Sequence, residues 1–254
     1  MGGTSSVTRV PLEAFAGQCQ RSLQPVIDRV SYYSVLPMEP DQVRQYLNEP
    51  AAALPKALLD RVASLRVLLV PYLEKGPSGS TDLVCFERPQ PQRLLTSSVF
   101  DVGEAVFLFV ASEQQEVADF HYWFFHGLAT LVAERIDPDW LSRYQGLVMD
   151  ELNRMARGEV DERSYELKQK LARRAGKPNV EAKALRQYVQ QSFADTLTLY
   201  LHGLCCDIDV EPGPRQLASR YLRHRLELLA EFFPPNPGFE LFPSDPEARS
   251  GNGT

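Results

Sequence analysis

The stretch ADFHYWFFHGLATLVAER, residues 118–135, decides the fold, because it sets two of the chain's four histidines on a long apolar segment. Read as a helix, one face carries Asp119, Tyr122, Trp123, His126, Thr130 and Ala133. Phe120, Phe124, Phe125, Leu128, Leu131 and Val132 make the remainder apolar. A helix so apolar around its circumference belongs at the centre of a core.

The spacing of the histidines bears on chemistry. Five residues advance a helix by about 500°, leaving His121 and His126 about 140° apart, whereas histidines that share a zinc ion on one helix stand four apart, about 40°. The pair is not a zinc motif, and the partner of His126 at the four-residue spacing is Tyr122.

Outward from this helix the chain changes character. Apolar residues from Leu12 to Val30 recur at helical spacing and predict an amphipathic helix over 12–34, kinked at Pro25. PMEPDQVRQYLNEP reads as a short helix bounded by prolines, and Pro55 opens another, completing a helical region over 12–64. The region 65–111 is strand-like. LRVLLVPYLEK, DLVCFERP and EAVFLFVA predict strands near 65–73, 82–88 and 104–111, with KGPSGST as a turn and RLLTSSVF as a fourth candidate.

From 115 to 233 the pattern is helical again. Asp137 and Pro138 end the histidine helix and start a second that Gly158 stops. A polar helix ends at Gly176, Asn179 caps a long helix that Gly203 closes, and a last helix spans 215–233. Residues 234–254 are rich in Pro, Gly and Ser and predict an extended tail, with Phe239, Leu241 and Phe242 able to dock on the body. The expectation is one α+β domain over 1–233: a small, mostly antiparallel or mixed sheet packed by several long helices.

Composition bounds the function. The 254 residues are 44% hydrophobic and 24% charged, as in ordinary globular proteins, and the net charge of −6 argues against nucleic acid as the main partner. No apolar run approaches the ~20 residues that span a bilayer, and MGGTSSVTRV lacks the apolar centre of a signal peptide, so a cytoplasmic location without membrane contact is the default expectation. Gly2 with Ser6 fits the loose N-myristoylation pattern and equally a plain polar start. Cys19, Cys85, Cys205 and Cys206 show no CxxC spacing and are expected as reduced thiols. Cys205 and Cys206, beside Asp207 and Asp209, read either as packing next to an acidic loop or as a soft metal or redox site.

A strand region, an apolar helix with a histidine facing it, and a later helix carrying QSFAD together resemble the compact gluzincin-type zinc peptidases over about 60–205. The resemblance implies a zincin-like fold with HExxH on the first helix and a ligand Glu, often as ExxxD, on the second. Here YWFFH puts Tyr122 at the first ligand and Trp123 at the general base, with His126 alone in register. Gln191 replaces the third ligand and Asp195 keeps its identity. An amide is a weak zinc ligand and an indole cannot take a proton from water. The implied protein is a degenerate zincin: a non-catalytic scaffold without a cofactor that binds a protein or peptide partner along the groove between sheet edge and helix. In that reading Trp123 and Phe125 fill the ligand space and Gln191 bonds to backbone or to Tyr122.

The alternative is a metal-dependent hydrolase, a peptidase with an atypical zinc site drawn from His126, His121 or His202 with Asp195 or Asp119. Asp195 and His202, seven apart on the second helix, share a face and with His126 and Asp119 form either that site or a paired polar cluster. RQLASRYLRHRLELLAEFF gathers Arg215, Arg220, Arg223, His224 and Arg225, which reads either as a basic contact surface or as a solvated face paired with Glu227 and Glu231. No GxSxG, GxGxxG or P-loop motif occurs.

Overall fold

The computed structural model describes residues 9–62, 64–77, 80–102, 105–113, 116–173, 178–206 and 215–241, with side chains undescribed over 178–181. Its centre is a five-stranded mixed sheet in the order β2 (Gln24–Ile27), β3 (Val30–Ser34), β4 (Ser64–Val70), β9 (Ala105–Ala111), β8 (Ser97–Val102). The inner three strands run parallel, and β2 and β8 are antiparallel edges. A smaller antiparallel sheet pairs β1 (Arg9–Pro11), β6 (Leu83–Cys85), β5 (Tyr72–Glu74) and β7 (Leu94–Leu95).

The apolar runs SLRVLLV and AVFLFVA make sense as strands covered on both faces. Val67, Leu69, Val106, Leu108 and Val110 point into the larger core with the long helices. Leu68, Val70, Phe107 and Phe109 point the other way, toward α1 (Leu12–Cys19) and the small sheet. The period-two alternation of a strand thus divides one apolar run between two cores.

On the helical side α5 (Val117–Arg135) and α8 (Pro178–Cys205) pack antiparallel, joined by α6 (Pro138–Asn153), α7 (Glu162–Ala172) and α9 (Ser219–Phe232). Asp137 and Asp161 cap α6 and α7 by accepting the Asp139 and Arg163 amides at 2.9 Å each. Gly127 lies where α5 presses on the sheet: a Cβ there would fall 2.4 Å from Leu108 Cδ1. No described helix is long and apolar enough to cross a membrane.

The α+β architecture and mixed sheet match the sequence reading, while several boundaries need correction. The helix expected over 12–34 stops at Cys19. β2 and β3 then form a hairpin that turns at Arg29, which adopts φ 64°. Pro25 sits on an edge strand, where a missing N–H costs nothing, and Val30 and Tyr32 alternate into the core as β-formers do. The strand expected at 65–73 breaks at Pro71 into β4 and β5, which serve different sheets. RLLTSSVF supplies β7 and β8.

The short proline-bounded helix is instead α2 (Pro40–Val43), a π-turn (Arg44–Asn48) and α3 (Glu49–Ala53) running through Pro50, followed by α4 (Lys56–Leu59). Gly158 does not stop α6, which ends at Asn153 with Met155 in the left-handed region. Pro178, not Asn179, opens the described part of α8, and α8 passes Gly203 to end at Cys205. Of the tail, Phe239 and Leu241 dock on the main core, and Asn236 donates to the Ala52 and Leu54 carbonyls. Phe242 lies outside the described residues.

Arg225 is the largest departure from the sequence reading. It is fully buried, not part of a basic surface. Its guanidinium donates to Glu151, Glu159 and Ser192, and Glu159 also binds Lys168 and the Tyr188 hydroxyl. Two carboxylates balance two cations. The neighbouring arginines do behave as a solvated face: Arg223 pairs with Glu227 and Arg215 with Glu162.

Candidate functional site

α5 is held against the sheet by Phe120, Phe124, Phe125, Leu128 and Leu131, all buried, which leaves Tyr122, Trp123, His126 and Thr130 half-buried along one side. On the sheet side, β8 contributes Ser97, Ser98, Val99 and Asp101 to a groove of about 310 Å³ that α5 completes with His126, Gly127, Thr130 and Glu134. β8 is an edge strand, so one side of its backbone has no strand partner among the described residues. Asp101 at the end of the groove pairs with Arg135.

His126 also opens on the other side of α5, into a cavity of about 480 Å³ between α5, α7 and α8 lined by Arg163, Lys170, Gln187 and Gln191. Its imidazole stacks on Tyr122, ring centres 6.0 Å apart, and meets Trp123 edge-on at 5.5 Å. Burial lowers its pKa, Asp161 partly restoring it, so the ring stays neutral near pH 7. The Tyr122 hydroxyl donates a long bond, 3.3 Å, to Asp161 Oδ2, and burial pushes its pKa up, so it remains a phenol.

Gln191 donates to Asp195 Oδ1 at 2.8 Å, correcting the expectation that it bonds to backbone or to Tyr122. Asp195 Oδ2 is buried without a hydrogen-bond partner among the described residues. Nearby Ser164 donates to the Asp161 carbonyl at 3.0 Å, and its hydroxyl and Gln191 partly offset the effect of burial on the Asp195 carboxyl. Burial, with Asp161 and Glu159 close by, raises the Asp195 carboxyl to about 6. His202 packs against Tyr122 and Phe125 with its buried Nε2 also unpaired among the described residues, and burial keeps it neutral.

The structure therefore brings Tyr122, His126, Gln191, Asp195 and His202 to the α5–α8 seam, with Trp123 beside Tyr122 and His126 on α5. Asp119 is exposed on the first turn and belongs to no such cluster, which removes it from the site. Phe125 is fully buried against His202 of α8, whereas Trp123 is half-buried and its rings meet Tyr122 and His126 of its own helix. His126, His121 and Asp195 do not converge: among the described residues, the one group of three or more His, Cys, Asp or Glu donors within 4.8 Å of one another is His121, Cys205 and Cys206. A zinc ion held by the expected three would need all of them within about 2.0–2.2 Å of one point.

Sequence reasoning missed Asp161, which caps α7 and accepts from Tyr122, and the β8 residues that form the groove wall. The N-cap pattern at Asp161 was readable; its distance to Tyr122 depends on how α7 folds back on α8. No family model, curated protein or solved structure matches this chain.

Proposed function

We propose that the protein is a non-catalytic, zincin-like binding scaffold that receives an extended peptide or protein segment along the groove between β8 and α5. One observation carries the reading: an antiparallel edge strand, with one side of its backbone unpaired to any strand among the described residues, runs beside the helix that holds the lone in-register histidine, separated from it by an open groove. Edge strands of this kind capture extended chains by main-chain hydrogen bonds, with alternate side chains entering pockets. The chemistry at the seam supports binding over turnover. Tyr122 is a half-buried phenol, Trp123 offers no base, and Gln191 is tied to Asp195.

The groove also sets the kind of partner. Ser97 and Thr130 offer neutral hydrogen bonds and Glu134 a negative charge, while the Ser98 hydroxyl donates to Asp82 on the other face of the strand, so a small or polar segment with a basic residue near the Glu134 end fits best.

The test is selection of binders from a random peptide library on the full chain, repeated on Thr130→Trp, which fills the groove from the α5 side. Peptides that bind the natural chain and lose at least tenfold in affinity on Thr130→Trp support the scaffold. Failure to select any peptide, or selected peptides indifferent to Thr130→Trp, would overturn it.

A further inference from the structure

At the opposite end of the α5–α8 pair lies a constellation that the groove does not use. Cys205 ends α8, and Cys206 continues its turn by donating its backbone N–H to the His202 carbonyl at 2.9 Å. Facing them from the first turns of α5 is His121, 3% exposed. Its Nε2 stands 2.7 Å from the Gln45 carbonyl oxygen. A carbonyl only accepts, so Nε2 carries the proton and Nδ1 turns its lone pair toward the sulfurs. Nδ1 lies 3.2 Å from Cys206 Sγ and 3.9 Å from Cys205 Sγ.

The sequence explains why Gln45 is available. In the π-turn the Glu49 amide donates to the Arg44 carbonyl, so the next donor in that register, for Gln45, would come from residue 50. Residue 50 is proline, which has no N–H. The orphaned carbonyl is free to accept from His121, and that bond fixes both the tautomer and the direction of the ring. A ligand histidine is normally held this way, by a hydrogen bond from its other nitrogen to a carbonyl or carboxylate.

The distances fit a metal centre. With zinc–sulfur bonds of about 2.3 Å and zinc–nitrogen bonds of about 2.0–2.1 Å, the nitrogen–sulfur edge of a tetrahedron is about 3.6 Å. The two observed separations, 3.2 and 3.9 Å, bracket that edge. Both cysteines are half-buried, which leaves a solvent-facing side for a fourth ligand such as water.

We propose that His121 Nδ1, Cys205 Sγ and Cys206 Sγ form a binding site for one zinc(II) ion, its fourth position open to water. On binding, each thiol gives its proton to solvent and each sulfur donates an electron pair to the metal; nothing is oxidised or reduced. Two thiolates neutralise the dication, so the inner sphere gains no net charge as it closes. Glu49, bonded to Arg44 at 2.8 Å, adds negative potential felt at both His121 and Cys205. The ion would clip the end of α8 to the start of α5 and, through Gln45, to the π-turn. The site is independent of the peptide groove and stands or falls apart from it.

Titration of the reduced full chain with cobalt(II), followed by zinc(II), tests the assignment. One cobalt per chain should bind, with a sulfur-to-cobalt charge-transfer band in the near ultraviolet and intense tetrahedral visible bands that zinc abolishes. His121→Ala, Cys205→Ser and Cys206→Ser should each weaken binding at least tenfold, while Cys19→Ser, Cys85→Ser and His126→Ala leave it unchanged. Circular dichroism of each metal-free variant separates lost ligands from lost folding. Absence of the thiolate band in the reduced chain, a band that survives Cys206→Ser in a folded variant, or loss of two mass units to a Cys205–Cys206 disulfide in place of metal uptake would overturn the proposal.

Discussion

Two polar clusters sit within the same helical layer and are built on opposite principles. Around Arg225 every charge is answered: two carboxylates face a guanidinium and an ammonium, with Tyr188 and Ser192 completing the bonds. Around Asp195 the bonds are incomplete. One carboxylate oxygen and the His202 Nε2 are buried without partners among the described residues, Tyr122 reaches Asp161 only at 3.3 Å, and cavities open on both sides of His126. A folded chain tolerates unsatisfied polar groups at a cost of about 1–3 kcal/mol each. The contrast marks the first cluster as framework; in the proposed scaffold the second is where stability is given up for access.

Removing a charge from the framework should have the largest effect. Arg225→Ala leaves Glu151 buried without its cation and Glu159 with Lys168 alone, and a loss of about 3–5 kcal/mol in urea unfolding is expected, as for other broken buried ion pairs. A loss under about 1 kcal/mol would make the cluster peripheral and erase the comparison. Gly158→Ala should follow, at about 2–3 kcal/mol. Gly158 has φ 77°, and a Cβ would lie 2.1 Å from the Gln216 carbonyl, prising apart the bridge that delivers Glu159 to Arg225.

The two clusters should answer acid with opposite signs. Burial opposes the charge on Glu159, yet Arg225 and Lys168 more than compensate and hold its carboxyl below the ordinary value. A folded pKa below the unfolded one, about 4.3, means stability that is present at neutral pH and lost as pH falls below that value. Asp195 is the reverse. Its folded pKa of about 6 lies above the unfolded value, so the native state gains stability as pH falls through 6 toward about 4. Asp195→Asn should therefore stabilise the chain by about 1–3 kcal/mol at pH 7 and make little difference at pH 4. Chemical denaturation of both forms across that range measures it; a destabilised variant at pH 7 would contradict the reading of Asp195. Thr130→Trp, at the groove, should change stability by no more than about 0.5 kcal/mol.

Much of the fold was legible because periodicity survives packing. The apolar runs at 65–73 and 104–111 became strands, and the residues around His126 became the central helix. What failed did so for local reasons. The apolar residues from Leu12 to Val30 satisfy a helical period and, at Val30 and Tyr32, a strand period too, and only the edge position of Pro25 decides between them. Arg225 could have been found, since it stands four residues from both Tyr221 and Leu229 on the buried stripe of α9. Its charge pointed to the surface, and its partners Glu151 and Glu159 arrive from 74 and 66 residues away. At the seam, the identities of Tyr122, Trp123 and Gln191 were legible as departures from the zinc-ligand pattern. The pairing of His121 with Cys205 and Cys206 was not readable, because only the antiparallel register of α5 and α8 makes them neighbours.

Backbone amide exchange across β8, with and without a selected peptide, tests the scaffold most directly. Slowed exchange at residues 97–102 on peptide binding, lost in Thr130→Trp, is the expected result. Binding that leaves those amides unchanged while protecting another surface would contradict strand addition at this edge.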